Sequence, residues 1–126
     1  TLFPYTTLFR SPYVQYTNAR AKSILRKANT AVSVDELNLD DTATWDIITT
    51  LNQFPTIVQR AWQQREASII AKYALSLSRA FNKYYANSKI LLPDDQLNAR
   101  LALVKAVTII LSESLRLLGV KAPEEM

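Results

Sequence analysis

The chain has no cysteine and no histidine, and only one glycine and five prolines among its 126 residues. Without cysteine there are no disulfides and no thiolate metal sites, which points to a reducing, cytoplasmic setting. Without histidine the usual neutral-pH general base and the commonest zinc ligand are both missing. The single glycine, Gly119, cannot build a phosphate-cradling loop, so dinucleotide-binding and P-loop readings fall away. So little glycine and proline also leaves few turn residues, which argues against a sandwich, a barrel or an alternating β/α fold. Apolar runs such as Ala106–Leu111 are too short to cross a bilayer, so no membrane partner is expected. What is present is 48% hydrophobic residues, enough for one domain with a real core, and a mild net charge of +4 that suits an acidic partner without specifying one.

Residues 1–11 stand apart. They repeat Thr-Leu-Phe at 1–3 and 7–9, carry no period that continues downstream, and resemble the in-frame translation of a common sequencing-library adapter. They read as an artefactual or disordered leader outside the fold, with one helical domain over residues 12–126. On that reading the domain is a C-terminal fragment whose native upstream sequence is missing.

The remaining pattern is helical. Ser11–Pro12 offers a cap and a first-turn proline, so the first helix is expected from there to about Ala28, with Val14, Ala21, Ile24, Leu25 and Ala28 inward. A polar, β-branched connector spans 29–41. A second helix over about 44–53 places Trp45, Ile48 and Leu51 on one side, with Asp41, Thr42 or Thr44 as cap. Phe54–Pro55 starts a third helix, with Ile57, Val58, Ala61 and Trp62 inward. Near Arg65–Ala67 a fourth begins, and Ile69, Ile70, Tyr73, Leu77, Ala80, Phe81 and Tyr84 keep a 3.6-residue period. The pattern leaves open whether the third and fourth are separate or one kinked helix. Asp94–Asp95 is expected to open the last and longest helix, which Gly119 ends as a left-handed cap. The fold expected is an all-α bundle of about five helices.

No catalytic constellation emerges. Asp40–Asp41 and Asp94–Asp95 precede helices and read as caps; Glu124–Glu125 lies in the tail, and the serines lack a histidine partner. Trp45 and Trp62 both fit apolar stripes and read as core. Arg60, Arg65, Lys72, Arg79, Arg100, Lys105 and Arg116 read as solvated cations. The richest stretch is Pro12–Ala28, which holds two tyrosines and four cations with no acid before Asp35. Tyr13, Tyr16 and Arg20 fall on one side of the helix, about a quarter turn from its apolar face. Tyrosine faces stack on unpaired bases and guanidinium groups meet phosphates, although rim packing explains such a stripe equally well. A second aromatic group, Phe81-Asn82-Lys83-Tyr84-Tyr85 followed by Lys89, must leave at least one of its adjacent tyrosines near the surface.

Tyr-Val-Gln-Tyr-Thr-Asn-Ala-Arg at 13–20 resembles the opening helix of the anticodon-binding domain of arginyl-tRNA synthetases. The likeness continues through Ser23–Ala28, Phe54–Pro55, Ile70–Tyr73, Ala80–Tyr85, Ala99–Ala106 and Leu117–Met126. It implies an all-helical domain, related to class I aminoacyl-tRNA synthetases, that grips the anticodon stem and loop of arginine tRNA. By position it implies that Tyr13, Tyr16 and Arg20, then Tyr84 or Tyr85, then Met126 hold the loop, with Lys27, Lys83 and Lys89 available to phosphates. Asn18 stands where many members have histidine, and Ala67 where many have proline. The family's catalytic signatures are absent, so no residue of this chain is expected to be catalytic and it binds no cofactor or metal of its own. ATP with magnesium, and arginine transfer, would belong to the catalytic domain of a monomeric parent. A glycyl- or cysteinyl-tRNA synthetase domain, or a helical protein-interaction domain, is the alternative.

Overall fold

The computed structural model describes residues 5–28 and 41–126, with side chains from residue 11 onward. Most of the connector expected at 29–41, Asp40 included, lies outside the described residues. Among the described residues five helices follow one another: α1 Tyr5–Ala28, α2 Thr42–Asn52, α3 Phe54–Gln64, α4 Ser68–Asn87 and α5 Leu97–Leu117. The all-α expectation holds, and the described residues give the five helices expected. α4 is the central element: α1 lies across α4 and α5, while α2 and α3 pack on α4. The core draws Val14, Ala21 and Ile24 from α1, Ile47 from α2, Tyr73, Leu77, Phe81 and Tyr84 from α4, and Leu101, Val104, Val107, Leu111 and Leu115 from α5. Each valine, isoleucine or leucine among them, fully buried, contributes about 1.5–3 kcal/mol. α2 is tied to α4 by the Tyr73 hydroxyl, which donates to the Thr50 carbonyl at 2.7 Å, and the start of α3 by the Phe54 ring, 5.7 Å from that of Tyr73.

Helix α1 starts earlier than expected. Its backbone is helical from Tyr5 and Pro12 sits inside it, although proline has no N–H to give the carbonyl four residues back. Downstream, the phase is as read from the sequence, with Val14, Ala21 and Ile24 buried.

The two tryptophans are corrections. Trp45 is 55% exposed and Trp62 82% exposed. In α2 the phase is set by the cap. Asp41 takes an extended conformation, and its carboxylate accepts from the Thr44 N–H at 3.1 Å and the Thr44 hydroxyl at 2.6 Å. That turns Thr44 inward with Ile47 one turn later, both fully buried, and swings Trp45 out. α3 meets its neighbours along a narrow line in which Ala61 is buried and Ile57 and Val58 are half-buried. The next residue, Trp62, is rotated about 100° off that line.

Helices α3 and α4 are separate. Arg65 turns the chain in the left-handed region at φ 54°, and the Glu66 N–H closes onto the Ala61 carbonyl at 3.0 Å, a Schellman-type end. The same motif ends α5 as expected: Gly119 has φ 74°, and the N–H groups of Gly119 and Val120 donate to the Arg116 and Leu115 carbonyls at 3.0 and 2.8 Å. α5 begins at Leu97 and not at Asp94–Asp95, because Asp94 spends its carboxylate on the Gln96 N–H at 3.0 Å and on Arg100 at 2.7 Å. Arg100 is thus no solvated cation. Its side chain is 12% exposed, and it clamps the α4–α5 connector by donating to the Ile90 and Leu92 carbonyls at 2.9 and 2.6 Å. Its hydrogen bond holds the Asp94 carboxyl below the ordinary carboxylate range.

Candidate nucleic-acid interface

With Val14, Ala21 and Ile24 fixed inward, α1 presents Tyr13 and Tyr16 along its edge, 40% and 48% exposed. Beside those positions the helix buries two polar residues, Thr17 and Asn18, so the α1 seam with α4 and α5 is polar at its centre. Asn18 donates to the Ser112 hydroxyl at 3.1 Å. Thr17 donates back to the Tyr13 carbonyl at 2.9 Å.

Arg20 organises this edge. Its guanidinium carbon stands 4.9 Å from the centre of the Tyr16 ring and 4.5 Å from that of Tyr85, which joins α1 to α4 through two cation–π contacts. One terminal nitrogen donates to the Asn82 side-chain oxygen at 3.0 Å and the other to the Tyr16 hydroxyl at 3.2 Å. Asn82 in turn donates to the Tyr13 hydroxyl and to Thr17 Oγ1, both at 2.9 Å. A planar cation and two half-exposed rings are held in place before any ligand arrives.

The adjacent tyrosines differ sharply in exposure. Tyr85 is 43% exposed and faces Arg20, whereas Tyr84 is 2% exposed, its ring 6.5 Å from that of Phe81. Burial pushes the Tyr84 phenol up to about 12, with the Arg100 charge pulling it down and the Asp41 charge pushing it up. Tyr84 is therefore a core residue and not a ligand contact, a correction to half of the expected pair. The physical cause is the 100° step between neighbours on a helix.

Tyr16, Arg20, Lys27, Tyr85 and Met126 line one groove of about 430 Å³. Four of the expected loop-holding residues and one expected cation thus converge. Tyr13 stands beside this set through Asn82, while Lys83 and Lys89 are exposed but outside the groove lining. The tail reaches the groove by polar contacts along α1. Gln15 donates to the Lys121 carbonyl at 2.9 Å, Lys22 meets Glu124 at 3.2 Å, and Arg26 meets Glu124 and Glu125 at 3.4 and 4.0 Å. Sequence reading passed over Asn82, Lys22, Arg26 and the tail carboxylates as parts of this site. The signal for Asn82 was there: it precedes Tyr85 by three positions, so the two share a helix face.

Among the described residues, no group of three acidic, histidine or cysteine side chains could hold a metal ion, and no helix is long and apolar enough to cross a membrane. What the site offers is stacking faces and fixed positive charge, the chemistry of unpaired nucleic acid.

Comparison with known proteins bears on that chemistry. The chain is 81% identical over 115 residues to an arginine–tRNA ligase of Leuconostoc mesenteroides, covering 91% of this chain and 20% of that protein. It is 63% identical over 115 residues to the corresponding ligase of Pediococcus pentosaceus, with the same coverage. Its structure superposes on Thermus thermophilus arginyl-tRNA synthetase with a TM-score of 0.82 at 35% identity, covering 91% of this chain and 21% of that one. The chain thus spans about a fifth of the length of the relatives it matches. The DALR anticodon binding domain family matches residues 14–126, a span that holds every element of the groove, and the chain belongs to that family.

Proposed function

We propose that the chain binds the anticodon stem-loop of arginine tRNA, as the anticodon-binding part of an arginine–tRNA ligase. The observation that carries the reading is the stack of Arg20 between Tyr16 and Tyr85 beside Met126. Flipped-out loop bases add to such a stack, Arg20 keeps N–H groups for a base edge or phosphate, and Met126 supplies a soft apolar wall. The parent enzyme, a cytoplasmic monomer in this reading, charges tRNA with arginine at the expense of ATP. One glycine cannot make a phosphate loop for ATP in this chain. That chemistry is assigned to the four-fifths of the relatives' length that this chain does not span. Residues 1–11 remain, in this proposal, a leader foreign to the domain, a view supported by the family match beginning at residue 14.

The test is fluorescence anisotropy with a labelled arginine anticodon stem-loop at low salt. Tyr16→Ala or Arg20→Ala is expected to weaken binding by about 1–3 kcal/mol, the scale of one stacked base. A stem-loop with a swapped anticodon is expected to bind less well, and affinity is expected to fall steeply with added salt. Equal affinity for the wild type and Arg20→Ala, or for both stem-loops, overturns the reading.

A further inference from the structure

Three hydrogen bonds from one amide fix the polarity of the groove edge. Arginine carries only donors, so the atom of Asn82 facing the Arg20 Nη1 at 3.0 Å is the side-chain oxygen. The amide nitrogen is thereby turned to the other side, and its two hydrogens go to the Tyr13 hydroxyl and Thr17 Oγ1, both at 2.9 Å. Thr17 accepts there because its own hydrogen is given to the Tyr13 carbonyl at 2.9 Å. The Tyr13 oxygen therefore accepts from Asn82, and its phenolic proton is left pointing away from the protein network. Tyr16 is set the same way, since its oxygen accepts from Arg20 Nη2 at 3.2 Å. Among the described residues no acceptor takes either phenolic proton.

We infer that Asn82 is a positioning residue that locks Tyr13 as a hydrogen-bond donor, so that Tyr13, Tyr16 and Arg20 present an edge of donors to an acceptor oxygen or ring nitrogen of the bound RNA. The inference rests on the proposed binding of an anticodon loop and adds to it a polarity: the group met at this edge is an acceptor, either a base edge or a phosphate oxygen. An amino group of a base finds as acceptors here only phenol oxygens already taken by Asn82 and Arg20 and is disfavoured.

Asn82→Asp tests this with little change of shape. A carboxylate still accepts from Arg20 but has no hydrogen to give. Tyr13 must then donate inward, and its proton is lost to the ligand. The added charge alone weakens RNA binding, so the readout is a double-mutant cycle with Tyr13→Phe, using the 126-residue chain and the arginine anticodon stem-loop. In the wild-type background Tyr13→Phe is expected to weaken binding about threefold to tenfold, the scale of one hydrogen bond; in the Asn82→Asp background it is expected to cost nothing more. An equal loss in both backgrounds overturns the inference, as does wild-type affinity for Asn82→Asp. Thermal melts monitored by circular dichroism report folding; if Asn82→Asp melts early, Asn82→Ala replaces it in the cycle, where Tyr13 is no longer held as a donor and the Tyr13→Phe penalty is expected to be smaller than in wild type. Methylphosphonate substitutions scanned through the loop identify the acceptor: the Tyr13→Phe penalty vanishes at one position if it is a phosphate, and persists throughout if it is a base. A wild-type chain that does not bind the stem-loop at all overturns the proposed function instead, whereas wild-type binding with an additive cycle overturns only the role of Asn82.

Discussion

The molecule exposes two sets of large aromatic rings, and they differ in what stands behind them. Tyr16 and Tyr85, on the α1–α4 edge, are 48% and 43% exposed and flank a guanidinium that is itself fixed by Asn82. Trp45 and Trp62, on α2 and α3, are more exposed, at 55% and 82%. Among the described residues neither indole stacks on another ring or on a cation. Tryptophan is the better stacking surface in isolation, so exposure and ring size alone would favour the tryptophans over the pair proposed to bind. What marks the tyrosine edge is preorganisation: ordering Arg20 and both rings on binding would cost side-chain entropy, and the hydrogen bonds around Asn82 have already met that cost in the free protein.

The sharpest test of this contrast lies in two consecutive residues. Tyr84→Ala, which empties a site that is 2% exposed in the core, is expected to destabilise the fold by about 3–5 kcal/mol. Tyr85→Ala is expected to leave stability in urea within about 0.5 kcal/mol of wild type, yet to weaken stem-loop binding by about 1–3 kcal/mol. Denaturation and anisotropy on the two variants measure both quantities. If Tyr85→Ala lost stability and kept its affinity, the edge would be packing and not a site.

The same division governs alkaline stability. Burial raises the phenols of Tyr73 and Tyr84 from 10.0 to about 12. Between those values the folded chain holds protons that the unfolded chain has released, so stability is fully present below pH 10 and is lost as pH rises toward 12. Urea midpoints taken at about pH 9 and about pH 11 are expected to fall, and Tyr84→Phe is expected to flatten the slope. At neutral pH that variant is expected to be neutral or stabilising by up to about 1 kcal/mol, because the buried Tyr84 hydroxyl has no hydrogen-bond partner. Tyr73→Phe loses a bond to the Thr50 carbonyl and is expected to cost about 1 kcal/mol. A flat pH response in wild type would mean that the core phenols are open to water.

Much of this is legible in the chain. The 3.6-residue period on α4 gives its inward face, and the phase of α1 by itself puts Tyr13, Tyr16 and Arg20 at a rim. The short helices mislead because their phase is decided by contacts outside periodicity. Asp41 turns Thr44 inward and so turns Trp45 outward, and a narrow line of contact leaves Trp62 beyond reach of the core. The choice of Tyr85 over Tyr84 depends on a single residue step. Arg100 looks like any surface cation because, besides Asp94, it is held by the carbonyls of Ile90 and Leu92, and carbonyls leave no mark on side-chain pattern. Asn82 is in plain view, but an asparagine gains meaning only from the three groups that folding brings to it.

A smaller effect is expected at the turn between α3 and α4. Arg65 occupies the left-handed region at φ 54°, where a side chain meets steric cost and glycine meets none. Arg65→Gly is expected to stabilise by about 0.5–1 kcal/mol, the strain relieved being partly offset by a more flexible unfolded chain. A lower thermal midpoint for this variant would show that the Arg65 side chain holds the turn through contacts of its own.

The smallest effect is expected at the most exposed ring of all. Trp62→Ala removes an indole that is 82% exposed and is expected to change stability by no more than about 0.5 kcal/mol. Stem-loop affinity is expected to stay at the wild-type value, since Trp62 is not among the residues that line the groove. Anisotropy with Trp62→Ala and Tyr85→Ala side by side, at the same salt, makes the comparison direct. A loss at Trp62 as large as that at Tyr85 would show that RNA extends onto α3, and that a ring with no fixed cation beside it binds as well as one that has been held in place.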